Sequence, residues 1–223
     1  MKIGHYCESP IDRAALEVFT EGILGEPPER INMDLEAHSV PAFFNTLPGV
    51  FKGVHYNSDA EGLVIVVDCD DTELHEPAHD KPGGACQGCR LCQIRSVITK
   101  ARTQLSKRDG RPELKVAIGL AVPEIEAWYL VGKKHEVGEA VWRVGLAESR
   151  PPFTKKQLKE WVYGKDRLSF QDKTERAVIE AKRVIRNLTE IETRFPSGFR
   201  TMAQEIRTWR PPPPLAGPPE SPG

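Results

Sequence analysis

Three groups of acidic residues in this 223-residue chain each follow a strand-like run: Glu8 after KIGHYC, Asp68 and Asp70 after LVIVV, and Glu124 and Glu126 after VAIGLAV. Open α/β sheets bind ligands outside the carboxyl ends of their strands, so the three groups are expected to meet at one edge. Clustered carboxylates repel each other unless a cation lies among them. Oxygen-rich sets of this kind hold Mg²⁺ or Mn²⁺, hard ions that keep several waters for substrate phosphates to replace. Ions so held polarise a phosphoryl oxygen and help generate a nucleophilic hydroxide, and a pair can clamp attacking and leaving oxygens. Plainer roles exist for some of these acids. Glu124 and Glu126 suit the first turn of a helix, where the dipole favours negative charge, and Asp12 suits a helix cap.

A second set of ligand-type residues follows the Asp pair: His75, His79, Cys86, Cys89 and Cys92. Cys-x2-Cys spacing lets two thiolates reach one tetrahedral ion. A structural Zn²⁺ held by Cys86, Cys89, Cys92 and His79, with His75 the lesser candidate for the fourth place, would staple a glycine-rich loop that has little core of its own. An iron–sulfur cluster is the alternative, and free thiols the plain reading. Cys7 and Cys69 lie beside carboxylates, where a negative field discourages thiolate formation, and read as packing residues.

The elements that must position these groups are partly marked. Residues 2–7 read as a strand, and SPIDRAALEVF as an amphipathic helix with Ser9 as N-cap, Pro10 at its first position and Asp12 placed as in a capping box. LVIVV (63–67) and VAIGLAV (116–122) are continuous apolar runs of the kind covered on both faces in a parallel sheet. Residues 90–107 place Leu91, Ile94, Ile98, Ala101 and Leu105 on one helical face. Residues 25–61 give no clear pattern beyond a second strand and helix. EIEAWYL opens a further helix, and 138–210 reads as helical, with stripes at Val178, Ala181, Ile185, Leu188 and at Phe199, Met202, Ile206, Trp209. The expected fold is α/β: a mainly parallel, Rossmann-like sheet over residues 1–135 with flanking helices and a Cys-rich insertion at 75–92. A helical extension over 136–210 and a disordered proline-rich tail at 211–223 follow it.

The net charge of −1 hides a division: residues 1–80 hold 4 Lys/Arg against 16 Asp/Glu, and residues 81–210 hold 27 against 15, or −12 followed by +12. That asymmetry suits a carboxylate-lined cation site beside an anion-facing surface, although charge runs are usually solvated faces. No apolar run approaches the roughly 18 residues of a membrane span. The chain is expected to be soluble and cytoplasmic, with reduced cysteines.

CESPIDRAAL followed by VIVVDCD resembles the TOPRIM domain of topoisomerases, primases, recombination proteins and overcoming-lysogenisation-defect nucleases, over roughly residues 1–132. AVPEIEAWYL and RFPSGFRTMAQEI are similar to small stand-alone TOPRIM-like proteins linked to phage defence and paired with ATPases. The resemblance implies a metal-dependent nuclease acting on DNA or RNA. It implies Asp12, Asp68 and Asp70 as metal ligands, Glu8 as a ligand or general acid/base, Glu126 as a further ligand and Lys165 as a charge-stabilising cation. A topoisomerase role would need a nucleophilic tyrosine on further domains, and none of Tyr6, Tyr56, Tyr129 and Tyr163 stands in a recognisable catalytic context. VVDCDDT also matches the Asp-x-Asp-x-Thr of haloacid-dehalogenase phosphatases, with Asp68 as nucleophile, but that family carries the motif in its first strand. A non-catalytic module binding nucleic acid or a partner through the basic half is the third reading.

Overall fold

The computed structural model describes residues 1–31, 33, 40–107, 110 and 112–210, so the proline-rich tail lies outside the described residues. Four parallel strands form the sheet: β1 (Lys2–Tyr6), β2 (Glu29–Arg30), β3 (Gly62–Asp68) and β4 (Lys115–Ala121), in the order β2-β1-β3-β4. This is a Rossmann-like α/β arrangement flanked by helices. The β-branched run 63–67 explains why β3 is central: it is buried along its length except at Asp68, which requires cover on both faces.

Register decides what meets at the edge. Tyr6 pairs with Ile65, and Asp68 with Ala121, so β3 and β4 end level. The ladder continues past the strands, with Cys69 N donating to Ala121 O at 2.6 Å and Asp70 N to Pro123 O at 2.9 Å. Glu8, two residues beyond Tyr6, and Glu124, three beyond Ala121, therefore emerge beside Asp68.

Helix α1 (Pro10–Leu24) begins as the sequence predicts: the Ser9 hydroxyl accepts from Asp12 N at 3.2 Å, and Gly25 closes the helix with a left-handed φ of 74°. It buries Ala15, Leu16, Val18, Phe19, Thr20, Ile23 and Leu24. The unreadable stretch supplies the two-residue β2 and helix α2 (Val40–Asn57), which keeps Pro48 inside it. Helix α3 (Arg90–Arg102) buries Leu91, Ile94, Ile98 and Ala101 as expected but ends before Leu105, which packs partly buried against the core.

After β4 come a single turn, α4 (Glu126–Tyr129), then α5 (Glu139–Ala147), α6 (Lys155–Tyr163), α7 (Phe170–Val184), α8 (Leu188–Arg194) and α9 (Thr201–Arg207). These helices share one core with the sheet. Phe19 and Trp128 pack edge-on against Phe199, Glu205 accepts from Ile118 N at 2.8 Å, and Lys115 Nζ donates to Trp209 O at 2.7 Å. The stripe Phe199, Met202, Ile206, Trp209 is buried as expected. On α7 the fully buried face is Ala177, Ala181 and Val184, and Val178, Ile185 and Leu188 pack at its margin. Among the described residues, no helix is long and apolar enough to cross a membrane.

Candidate functional site

The carboxyl edge of the sheet opens into a cavity of about 800 Å³. One wall carries Glu8, Asp12, Asp68, Glu124 and Glu126, and the other carries Lys155, Lys156, Lys159, Lys165, Arg167 and Lys173 from α6, α7 and the segment between them. Glu8 Oε1 accepts from Asp68 N at 3.2 Å, and Asp68 Oδ1 accepts from Ile125 N at 3.0 Å, so the three strand ends are tied through these carboxylates. Lys159 Nζ lies 3.1 Å from Glu124 Oε1. The other oxygen, Glu124 Oε2, is buried without a hydrogen-bond partner.

Burial and mutual repulsion set the protonation of this wall. Burial, then the neighbouring Asp12, Glu126, Glu8 and Glu124, push Asp68 well above the ordinary carboxylate range. Burial lifts Asp12 to about 6, against a Ser9 hydrogen bond that favours its charged form, and lifts Glu126 to about 7 with help from Asp12. Burial also raises Glu8, opposed by the Asp68 amide. The Tyr163 phenol is raised by burial and by the nearby Glu126 and Asp12. A cation placed here would relieve the repulsion that adds to burial in these shifts.

Asp70 departs from its partner. Its backbone turns left-handed at φ 51°, Arg90 Nη2 lies 2.6 Å from Oδ2, and Lys155 Nζ pairs with Oδ1. Burial works against its charge, yet the two cations more than offset this and hold it below the usual carboxylate range. Arg90 also donates to the Asp68 carbonyl. The two aspartates thus face different surroundings, one among anions and one among cations.

Beyond Asp70, His75, His79, Cys89 and Cys92 bring one ligand atom each to within 4.8 Å of one another, an arrangement that could hold a metal ion. Cys89 Sγ and Cys92 Sγ each lie 3.6 Å from His75 Nδ1. Both cysteines share the first turn of α3, as i, i+3 spacing requires. His75 Nε2 meets Asp80 Oδ1 at 3.1 Å, and Arg95 Nη1 holds the same oxygen at 2.6 Å. Asp80 and Arg95, whose Nη1 lies 3.3 Å from Nε2, occupy that side of the ring, and Nδ1 is the nitrogen that faces the sulfurs. Cys86 is a correction to the expected set: it sits in the turn before α3, its thiol bound to Glu73, and His75 stands in its place.

Protein-family models, curated proteins and solved structures yield no match to this chain.

The geometry sorts the expected residues without such help. Glu8, Asp12, Asp68, Glu126 and Lys165 reach one cavity, whereas Asp70 is engaged by Arg90 and Lys155 and is not among the residues lining it. Among the described residues, the carboxylates of the wall do not form a ligand group of the kind the His/Cys residues do. An ion there needs small side-chain rotations or bridging water, as suits Mg²⁺, which keeps much of its hydration. Sequence reasoning missed Lys155, Lys159, Tyr163 and Arg90. The signal for the lysines was present in TKKQLKEWVYG: a Thr154/Gln157 capping box starts α6 and places Lys155 and Lys159 four apart on one face. Arg90 gave a weaker sign, a cation at the unfavourable end of a helix dipole.

Proposed function

We propose that this protein is a cytoplasmic divalent-metal-dependent nuclease of the TOPRIM type, acting on DNA or RNA in defence against phage or foreign DNA with an ATPase partner. The observation that carries the reading is the convergence of Glu8, Asp68 and Glu126 from beyond three strand ends, and of Asp12 from the first turn of α1, on one cavity faced by lysines. The donor set fits a hard cation: carboxylates converging on one cavity, and a buried Glu124 oxygen with no partner. Mg²⁺ or Mn²⁺ bound there would supply Lewis-acid polarisation of a phosphoryl group and a lowered water pKa. Asp68, Asp12 and Glu126 would hold it, with Glu8 as ligand or proton acceptor. Lys165, Arg167 and Lys173 would bind backbone phosphates across the cavity, Lys165 stabilising charge on the phosphoryl oxygens. Asp70, a metal ligand by resemblance, supports the reading indirectly by anchoring Lys155 and Arg90 beside the cavity. The two-His, two-Cys donor set of the second group favours structural Zn²⁺ over an iron–sulfur cluster.

The phosphatase reading asks Asp70 to exchange a proton, which its two cations oppose. The test is cleavage of plasmid, single-stranded DNA and structured RNA with Mg²⁺ or Mn²⁺, with the intact chain compared with Asp68→Ala and Glu126→Gln. Metal-dependent cutting that falls by more than roughly a hundredfold in both variants is expected. An intact chain that binds nucleic acid but never cuts it, with or without an ATPase, would leave the binding-module reading.

A further inference from the structure

The two candidate metal sites meet at one residue. Arg90 stands between Cys89 and Cys92 on the first turn of α3, is 8% exposed, and sends its guanidinium to the Asp68 carbonyl and the Asp70 carboxylate. That turn is poorly stabilised by its own sequence. Cys89 occupies the cap position without a side-chain hydrogen bond, the first turn carries no acid, and Arg90 places a positive charge where the helix dipole is already positive. A metal ion drawing negative thiolates to Cys89 and Cys92 supplies both the missing anchor and the missing negative charge. It also ties the turn to His75 and His79, in the loop that leaves Asp70. At the far end, Asp70 holds a left-handed backbone, uncommon for a residue with a side chain, and Arg90 grips both sides of it.

We propose that Arg90 is a positioning residue coupling the His/Cys metal group to the acidic cavity: metal at His75, His79, Cys89 and Cys92 sets the first turn of α3, and Arg90 carries that order to the Asp68–Asp70 turn. The inference rests on the metal reading of the His/Cys group, and its value to catalysis rests on the nuclease reading. Arg90 touches no reacting atom in this scheme. It fixes where Asp68 stands relative to Glu8 and Asp12, so stripping the second metal disorders the first site without touching its ligands.

Hydrogen exchange on the purified full chain tests this, with elemental analysis of every sample. Stripping the metal with a chelator, and separately Arg90→Gln in the metal-loaded protein, should each speed exchange of peptides holding the Cys69 and Asp70 amides by about tenfold or more, with α7 unchanged. Arg90→Gln should retain its metal. Arg90→Lys, which keeps a charge but cannot hold Asp70 and the Asp68 carbonyl together, should lie between; where Arg90→Gln loosens α7 too, it decides by the same criterion. Unchanged exchange on metal removal, unchanged exchange in the Arg90 variants, metal loss in Arg90→Gln, or a purified chain without bound transition metal would each overturn the coupling. Mn²⁺ binding at the cavity, followed separately by electron paramagnetic resonance, keeps the two ideas apart. Coupled exchange without Mn²⁺ binding defeats the nuclease reading alone, and Mn²⁺ binding without coupled exchange defeats this one alone.

Discussion

Two aspartates with a single residue between them show how far identity underdetermines chemistry. Asp68 points among Glu8, Asp12 and Glu126 and is pushed toward its neutral form, whereas Asp70 points at Arg90 and Lys155 and stays ionised. The same reasoning makes Asp80 matter, although it touches no candidate metal position itself. By engaging His75 Nε2 it orients the ring so that Nδ1 faces the cysteine sulfurs. On the proposal that this group holds Zn²⁺, Asp80→Asn is expected to weaken that binding by roughly 10–100-fold in a competition titration with a chromophoric chelator. Affinity equal to that of the unaltered chain would mean that His75 is no ligand.

Among the elements, α6 and the π turn Pro196–Arg200 explain why the C-terminal half cannot be a loose appendage. Helix α6 supplies Lys155, Lys156 and Lys159 to the basic wall of the cavity, and the π turn presses Gly198 onto β4. A Cβ at Gly198 would collide with the Leu120 carbonyl, and the Gly198 amide donates to Glu139 Oε1 at 2.8 Å. Glu139 accepts from Ser197 N as well, which ties the start of α5 to the same turn. Gly198→Ala should cost about 1–3 kcal/mol in a urea unfolding curve, because backbone has to move to admit the methyl group. A midpoint unchanged from the parent would show that the turn is not seated on the strand.

For the molecule as a whole, acid stability reports on the core beneath the site. His5 on β1 is buried, hydrogen-bonded to Thr20 at 3.0 Å, and lowered to about 3 by burial and by the charges of Arg30 and Arg13. Below its ordinary value of 6.5 the unfolded chain takes up a proton at His5, and the folded chain does not until about 3. Across that window, falling pH should therefore cost the folded protein on the order of 1.4 kcal/mol per unit relative to His5→Gln. Parallel stability curves for the two proteins would contradict the burial of this imidazole.

What the sequence alone determined follows from local physics. Continuous apolar runs covered on two faces announce β3 and β4, Ser9 and Pro10 announce the start of α1, and Cys-x2-Cys spacing announces that Cys89 and Cys92 can reach one ion. Acids directly after strands announce Glu8, Asp68 and Glu126 at one edge, because a parallel sheet brings all its carboxyl ends together. Only the tertiary structure decided the rest. That His75 rather than Cys86 lies in the His/Cys group, that Asp70 is engaged by Arg90 and Lys155, and that a cation from 85 residues farther along stands opposite follow from loop paths and from helices packing across the sheet. Those choices depend on contacts between residues distant in the chain, and no local periodicity encodes them.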